Sequence, residues 1–224
     1  MGMPSRAPIP VLHFSTVGQK CGIGEYTRQL MVEMGARGFD SIAFTCETPL
    51  GLPDLSSIRG RASIAWFHDN TVAYASTRLA DDIEMLIAAA DAEFAIVQHH
   101  PAFLGSHQLS KLVDLLVVCA GLPTAIVVHA LSNEQIPLLK RLSEFGAIIV
   151  SHKREDLLTL SAQGLDALQL PLAIPSLPQR ARKTSPRAER GFTIASNGFL
   201  REHKGIEVIV DAFALLRQSL PEAR

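Results

Sequence analysis

Short apolar runs alternate with helix-like repeats along most of the chain. Six of these runs have the length and apolar character of strands that are buried on both faces of a parallel sheet. They cover residues 9–14, 41–45, 62–67, 94–98, 124–128 and 147–150. Between the runs, apolar residues recur at three- and four-residue spacing, as on one face of a helix. This spacing predicts helices at about 22–37, 77–91, 106–120, 134–144 and 153–163.

The order of these elements predicts the fold class. Strands that alternate with helices form right-handed βαβ crossovers, so we expect an α/β fold with a doubly wound, Rossmann-like parallel sheet. Gly121, Gly146 and Gly164 stand where three of the predicted helices should stop. Ligands of such sheets bind beyond the carboxyl ends of the strands. The candidate positions are therefore those that follow the strands: residues 15–24, His99 and His100, His129, and residues 151–153.

The pattern changes after residue 175. Residues 1–175 form the predicted first domain, and residues 176–191, which are rich in proline and arginine, form a basic linker. A strand at 192–196 and a helix at 206–216 then predict the start of a second domain in residues 192–224. One strand and one helix cannot bury a core of their own. We therefore expect this second domain to be truncated.

Composition narrows the functional classes. The apolar fraction of 47% and the mean hydropathy of +0.20 suit a buried parallel sheet, and the net charge of −1 argues against general nucleic-acid binding. Cys21, Cys46 and Cys119 are too scattered for a metal site or a disulfide framework, which favours a reducing compartment. Residues 1–8 lack the apolar core of a signal peptide. We expect a cytoplasmic protein, and a peripheral membrane contact through the basic linker stays open.

A glycine-bearing loop joins the first predicted strand to the first predicted helix. Gly22 and Gly24 allow the backbone to approach a ligand closely, and the N–H groups of the first helical turn attract phosphate or carboxylate. The loop is not a P-loop, and it lacks the third glycine of the dinucleotide fingerprint. It therefore predicts an anion-binding loop, with a tight connection in an α/β sheet as the alternative.

Four motifs in order carry a resemblance to a known family. Residues 21–27 read Cys-Gly-Ile-Gly-Glu-Tyr-Thr, residues 98–100 read Gln-His-His, and residues 127–129 read Val-Val-His. Beyond the linker come Gly-Phe-Leu at 198–200 and Lys-Gly at 204–205. Together they resemble glycosyltransferase family 4, whose members are retaining nucleotide-sugar transferases with the two-domain GT-B fold.

The resemblance implies transfer of a sugar from a nucleotide-sugar donor to a glycan or lipid-linked acceptor, such as in polysaccharide biosynthesis. It implies no metal or other cofactor, and the residues themselves offer no paired-ligand spacing. By the same resemblance, His129 contacts the sugar or the acceptor and is the catalytic candidate. The donor phosphates would be bound by Gly22, Gly24, Lys204 and Arg201, and the acceptor cleft would be lined by Glu25, Tyr26, His99 and His100.

The sequence departs from the family at several points. Phe199 stands where many members have an arginine for the donor diphosphate, and His100 replaces an acidic residue. The family's Glu-x7-Glu element would lie beyond Arg224, so we expect no complete donor site and no activity from this chain alone. Two other functions stay open: a non-catalytic α/β binding module, and a sugar-nucleotide epimerase of the same fold. His129 also has a purely structural interpretation, as a satisfied core histidine.

Overall fold

The structure is a computed structural model that describes residues 7–19, 21–46, 61–66, 91–101, 103–172 and 205–221, with Cys46 and residues 61–66 described for their backbone only. The chain divides into two compact units, Met1–Pro175 and Ser176–Arg224. In the second unit, the described residues form one helix, Ile206–Ser219. The predicted helix at 77–91, the linker at 176–191 and the strand at 192–196 lie outside the described residues.

The first unit contains a parallel sheet of seven strands. Their bounds are β1 Ile9–Ser15, β2 Phe39–Cys46, β3 Arg61–Trp66, β4 Phe94–His99, β5 Thr124–Val128, β6 Ile148–Ser151 and β7 Leu168–Gln169. The strand order is β3-β2-β1-β4-β5-β6-β7. The doubly wound α/β fold is thus confirmed. No pattern along the chain predicts β7, because this strand has two residues, both exposed, and depends on its pairing with β6.

The described helices are α1 Gly22–Gly35, α2 Ser106–Val113, α3 Ile136–Glu144, α4 Arg154–Ala162 and α5 Ile206–Ser219. The predicted helix at 106–120 is divided, because α2 continues as a π-helix at Asp114–Cys119, and a 3-10 turn at Asn133–Gln135 precedes α3. Gly121, Gly146 and Gly164 have φ angles of +61°, +100° and +70°. Their left-handed backbone suits glycine and confirms the predicted stops. Among the described residues, no helix is long and apolar enough to cross a membrane.

The two faces of the sheet are covered by different helices. Leu12 of β1 belongs to the large apolar cluster that includes Leu109 of α2 and Leu139 of α3, and we call this side the α2/α3 face. Val11 belongs to a smaller cluster against which Leu30 of α1 packs, and we call this side the α1 face. Because side chains alternate along a strand, every second residue of β1 and β4 faces α1.

The strand order reverses beside β1. From β1 the chain first builds outward through β2 and β3, and it then returns to add β4 on the other side of β1. In open α/β sheets, ligands bind at such a reversal, beyond the carboxyl ends of the two strands. This places the candidate site where Ser15 ends β1 and His99 ends β4.

Candidate functional site

The start of α1 is packed tightly against the loop that follows β1. The thiol of Cys21 caps the helix, since its Sγ accepts a hydrogen bond from the Gly24 amide at 3.3 Å and lies 3.0 Å from Thr16 Oγ1. A Cβ atom on Gly24 would lie 2.5 Å from the carbonyl oxygen of Thr16, which no real side chain tolerates. Gly24 is therefore required for packing, whatever else it contacts.

Gly22 has a different environment, although it is only two residues away. A Cβ atom on Gly22 would meet no atom within 4 Å, so the space in front of this residue is open. Among the described residues, the amides of Gly22 and Ile23 have no hydrogen-bond acceptor. Free N–H groups at a helix start attract anions. Gly22 thus has the open surface that a ligand would need, while Gly24 serves the fold.

Two buried hydroxyl contacts hold this loop and helix against the sheet. Thr27 Oγ1 donates to the carbonyl oxygen of Ile23 at 2.8 Å, so the proton in its 2.7 Å bond with Ser15 Oγ comes from the serine. Thr45 Oγ1 donates to the carbonyl oxygen of Val17 at 2.6 Å. The ends of β1 and β2 are therefore tied to the loop and to α1, which makes the position of Gly22 well defined.

Three rings meet on the α1 face beyond the ends of β5 and β6. The Tyr26 ring lies edge-on to the rings of His129 and His152, with centroid distances of 5.5 Å and 5.0 Å. The two imidazoles are 5.0 Å apart. The structure therefore brings the predicted residues Tyr26 and His129 together, and it adds His152, which sequence reasoning did not single out within 151–153.

The protonation of His129 follows from its neighbours. Its Nε2 lies 2.7 Å from Oε1 of Gln98, which can only accept, so the proton is on Nε2. Burial, and then the nearby imidazoles of His152, His100 and His99, lowers the pKa of His129 to about 3. The ring is therefore neutral at physiological pH, and its Nδ1 carries a lone pair that can accept a hydrogen bond.

His99 points to the opposite face, although it is adjacent to Gln98 in β4. Its Nε2 lies 2.9 Å from Nε2 of Gln135, whose Oε1 accepts from the Ser132 amide at 2.9 Å. The Gln135 nitrogen is thus the donor, and the proton of His99 is on Nδ1. Burial, and then His100, lowers the pKa of His99 to about 4. His99 is completely buried on the α2/α3 face, apart from the three-ring group.

The other acceptor-side candidates are at the surface or at the edge of the site. Both carboxylate oxygens of Glu25 are bonded within α1, to Arg28 at 2.6 and 2.8 Å and to Gln29 at 2.8 Å. The hydrogen bonds from Arg28 and then Gln29 lower the pKa of Glu25 to about 2. His100 lies in the turn after β4, with its ring 5.5 Å from that of Phe103, and burial lowers its pKa.

Two predicted donor-phosphate contacts concern the second unit of the chain. Lys204 and Arg201 lie outside the described residues, so their role at the donor phosphates stays a prediction. Among the described residues, no group of three or more histidine, cysteine, aspartate or glutamate side chains is arranged to hold a metal ion.

Gln98 and His152 are the site residues that sequence reasoning missed. Gln98 was part of a motif, but its contact with His129 joins two neighbouring strands and is not visible along the chain. The sequence did contain a signal for His152 as a site residue, because His152 follows β6 in the same way that His129 follows β5. Val127 and Val150 face α1 and pair in register, so the residues two positions further along share that face.

Comparison with known proteins gives no family for this chain. No protein-family model matches it, and no curated protein matches it. Among solved structures, the dTDP-glucose 4,6-dehydratase of Bacillus anthracis, determined in complex with NAD, aligns with a TM-score of 0.40 and 12% sequence identity. The alignment covers 64% of this chain and 54% of that enzyme, so the chain spans about half of that enzyme's length. A likeness this distant carries no argument about the reaction.

Proposed function

We propose that this chain carries the acceptor-side domain of a retaining glycosyltransferase of the GT-B type. The enzyme would take a sugar from a nucleotide-sugar donor and pass it to a glycan or lipid-linked acceptor. The observation that supports this most directly is the ring contact between Tyr26 and His129. These residues belong to two of the motifs that resemble glycosyltransferase family 4, and they meet at the carboxyl edge of the sheet, where α/β folds bind their ligands.

The start of α1 suits the donor phosphates. Sugar transfer develops negative charge on the leaving diphosphate, and fixed N–H donors stabilise such charge without a metal. Such donors are the amides of Gly22 and Ile23, which have no acceptor among the described residues, and the space in front of Gly22 is open. By the resemblance, Lys204 and Arg201 would be the cations for the donor diphosphate, and the basic linker would attract an acceptor with an anionic lipid.

His129 suits a neutral partner better than a charged one. Because its imidazole is neutral and its Nε2–H is already donated to Gln98, it binds through the Nδ1 lone pair. An acceptor of this kind pairs with a hydroxyl group of the transferred sugar or of the acceptor. His129 would therefore orient a hydroxyl, and it does not attract phosphate by charge.

The donor part of the proposal can be tested by amide NMR of the 224-residue chain. We expect UDP-, GDP- or dTDP-sugars to shift the Gly22 and Ile23 resonances, and Gly22→Val to weaken that binding at least about tenfold, since the new side chain fills the ligand's space. Gly35→Val is the matched control, because Gly35 ends the same helix and also faces open space.

Two outcomes would contradict the proposal. One is that no nucleotide sugar shifts these amides at millimolar concentration. The other is that NAD shifts them while nucleotide sugars do not, which would favour a dinucleotide enzyme such as an epimerase. On the same protein, we expect no release of free nucleotide in the presence of glycan acceptors, so binding is measured separately from transfer.

A further inference from the structure

Two buried polar atoms beside His129 have no partner among the described residues. They are Nε2 of Gln98 and Nε2 of His152. Gln98 is 5% exposed, and its side chain and that of His152 belong to one group, because each contacts His129. Native proteins rarely leave buried polar atoms unpaired, because such an atom loses its water without gaining a partner. The pair therefore indicates a place where a ligand supplies the missing hydrogen bonds.

The chemistry of each unpaired atom is determined by its neighbours. His152 Nδ1 lies 2.6 Å from the carbonyl oxygen of Leu170, which can only accept, so Nδ1 carries a proton and Nε2 is the acceptor nitrogen of the imidazole form. Gln98 Oε1 is occupied by His129, so the unpaired Nε2 of its amide is a donor. With Nδ1 of His129, the group offers two acceptors and one donor.

This set of atoms selects a class of ligand. A carboxylate or phosphate only accepts hydrogen bonds, so it would face the lone pairs of two imidazoles without donating to either. An ammonium group only donates, so it would leave the Gln98 amide unpaired. A hydroxyl group both donates and accepts, and two neighbouring hydroxyls could pair with all three atoms.

We infer that Gln98, His129 and His152 form a subsite for neighbouring hydroxyl groups of a neutral sugar. Tyr26 forms one wall of this subsite, with its ring edge-on to both imidazoles. His129 and His152 are each only partly buried, so the group lies next to the solvent boundary, while its two unpaired atoms are themselves buried. The inference rests on the proposed function, because a glycosyltransferase would supply the sugar. It assigns binding roles to Gln98 and His152, for which the sequence predicted no ligand contact.

The test uses the 224-residue chain with ¹⁵N-labelled histidine and neutral methyl glycosides as probes. Imidazole nitrogen shifts report hydrogen bonding at each ring atom. We expect methyl glycosides to shift His152 Nε2 and His129 Nδ1, and equal concentrations of acetate or inorganic phosphate to leave both unchanged. Binding of acetate or phosphate at these nitrogens in place of the glycosides would overturn the inference.

Two substitutions isolate the unpaired atoms. His152→Asn keeps an N–H group for Leu170 and removes the Nε2 acceptor, and Gln98→Glu keeps an acceptor for His129 and removes the donor. Each should weaken glycoside binding about tenfold, the loss of one hydrogen bond of ordinary strength. His107→Asn, on the exposed side of α2, is the matched control and should bind like the parent. Thermal melting confirms that each variant is folded.

Unchanged glycoside affinity in both folded variants would overturn the subsite, because the glycoside would then make no hydrogen bond to Nε2 of Gln98 or Nε2 of His152. A bound water would be the partner of these atoms instead. That result is distinguishable from failure of the proposed function. If nucleotide sugars still shift the Gly22 amide, the glycosyltransferase proposal stands without this subsite. If glycosides bind at His152 and nucleotide sugars do not bind at all, the subsite stands and the glycosyltransferase proposal fails.

Discussion

On the α2/α3 face of the sheet, the central strands are apolar almost to their ends, whereas on the α1 face β1 and β4 become polar towards their carboxyl ends. Leu12 and Phe14 of β1 belong to the large apolar cluster, while His13 and Ser15, which alternate with them, are buried on the other side. In β4, Val97 is apolar and Gln98 is polar. The side chains of neighbouring residues in one strand thus face opposite sides of the sheet, one apolar and the other polar.

This difference indicates that one face mainly stabilises the fold and the other mainly positions polar groups near the site. The α2/α3 face buries most of the apolar side chains and supplies the bulk of the stability, because burial of apolar surface is the main favourable term in folding. The α1 face has smaller apolar clusters and holds the hydroxyls, the amide and the imidazoles near the site. The predictions below test this division.

The largest expected effect is the loss of a leucine from the α2/α3 face. Leu12 is fully buried, so Leu12→Ala should lower the free energy of unfolding by about 2–5 kcal/mol, through lost burial and the cavity left behind. Leu30→Ala removes the same atoms from α1, where the side chain is only partly buried, and should cost less than half as much. Urea denaturation measures both. Equal losses would contradict the division between the faces.

The next effect compares the two glycines at the start of α1. Gly24→Ala places a methyl group against the Thr16 carbonyl oxygen, so α1 must shift, at an expected cost of about 1–3 kcal/mol in unfolding free energy. Gly22→Ala meets open space and should stay within about 0.5 kcal/mol of the parent. Thermal and urea unfolding check both values. A stable Gly24→Ala variant would show that the close approach is not needed.

A third effect is the dependence of stability on pH. Burial lowers the pKa of His13 to about 4, below the value near 6.5 that it has when unfolded. The unfolded chain therefore binds the proton first, so stability is complete above about pH 6.5 and falls towards pH 4, by about 1.4 kcal/mol per pH unit for each such histidine. His99 and His129 act in the same direction.

His13→Gln isolates one of these contributions. Glutamine can still bond to Ser41, whose Oγ lies 3.2 Å from His13 Nε2, but it does not titrate in this range. Urea midpoints measured at pH 7, 6 and 5 should then give a slope with pH that is shallower by about one proton. An unchanged slope would mean that His13 takes up its proton at the same pH in the folded and the unfolded protein.

The smallest expected effect is at the outer surface of α1. Glu25 has a lowered pKa, yet its side chain is half exposed, and water screens its pairing with Arg28. Glu25→Gln should therefore change the free energy of unfolding by less than about 0.5 kcal/mol at pH 7, and even less in high salt. A change that persisted in high salt would indicate a role beyond the helix.

Features with a local cause could be predicted from the sequence. β1, β4, β5 and the start of α1 lie within a residue or two of their predicted bounds, because strand and helix periodicity repeat over a few residues. The glycine stops were predictable as well, since a left-handed backbone strongly favours glycine at that one position. β7 was missed because two exposed residues carry no apolar pattern, and only β6 gives them a partner.

The candidate site could be predicted only in part. The positions after the strands lie at the carboxyl edge of the sheet, but the sequence put His99 and His129 together, whereas the structure separates them onto the two faces. It also treated Gly22 and Gly24 alike, although one packs against Thr16 and the other faces open space. Both distinctions depend on which backbone or helix lies opposite a residue.

The amino-acid sequence by itself determined the α/β alternation, the helix stops and the concentration of polar residues after the strands. These follow from side-chain polarity and backbone preference over short distances. Only the tertiary structure decided that Gln98, His129, His152 and Tyr26 form one group. That group depends on the order of β4, β5 and β6 in the sheet and on the placement of α1 over one face, which bring together side chains that are far apart along the chain.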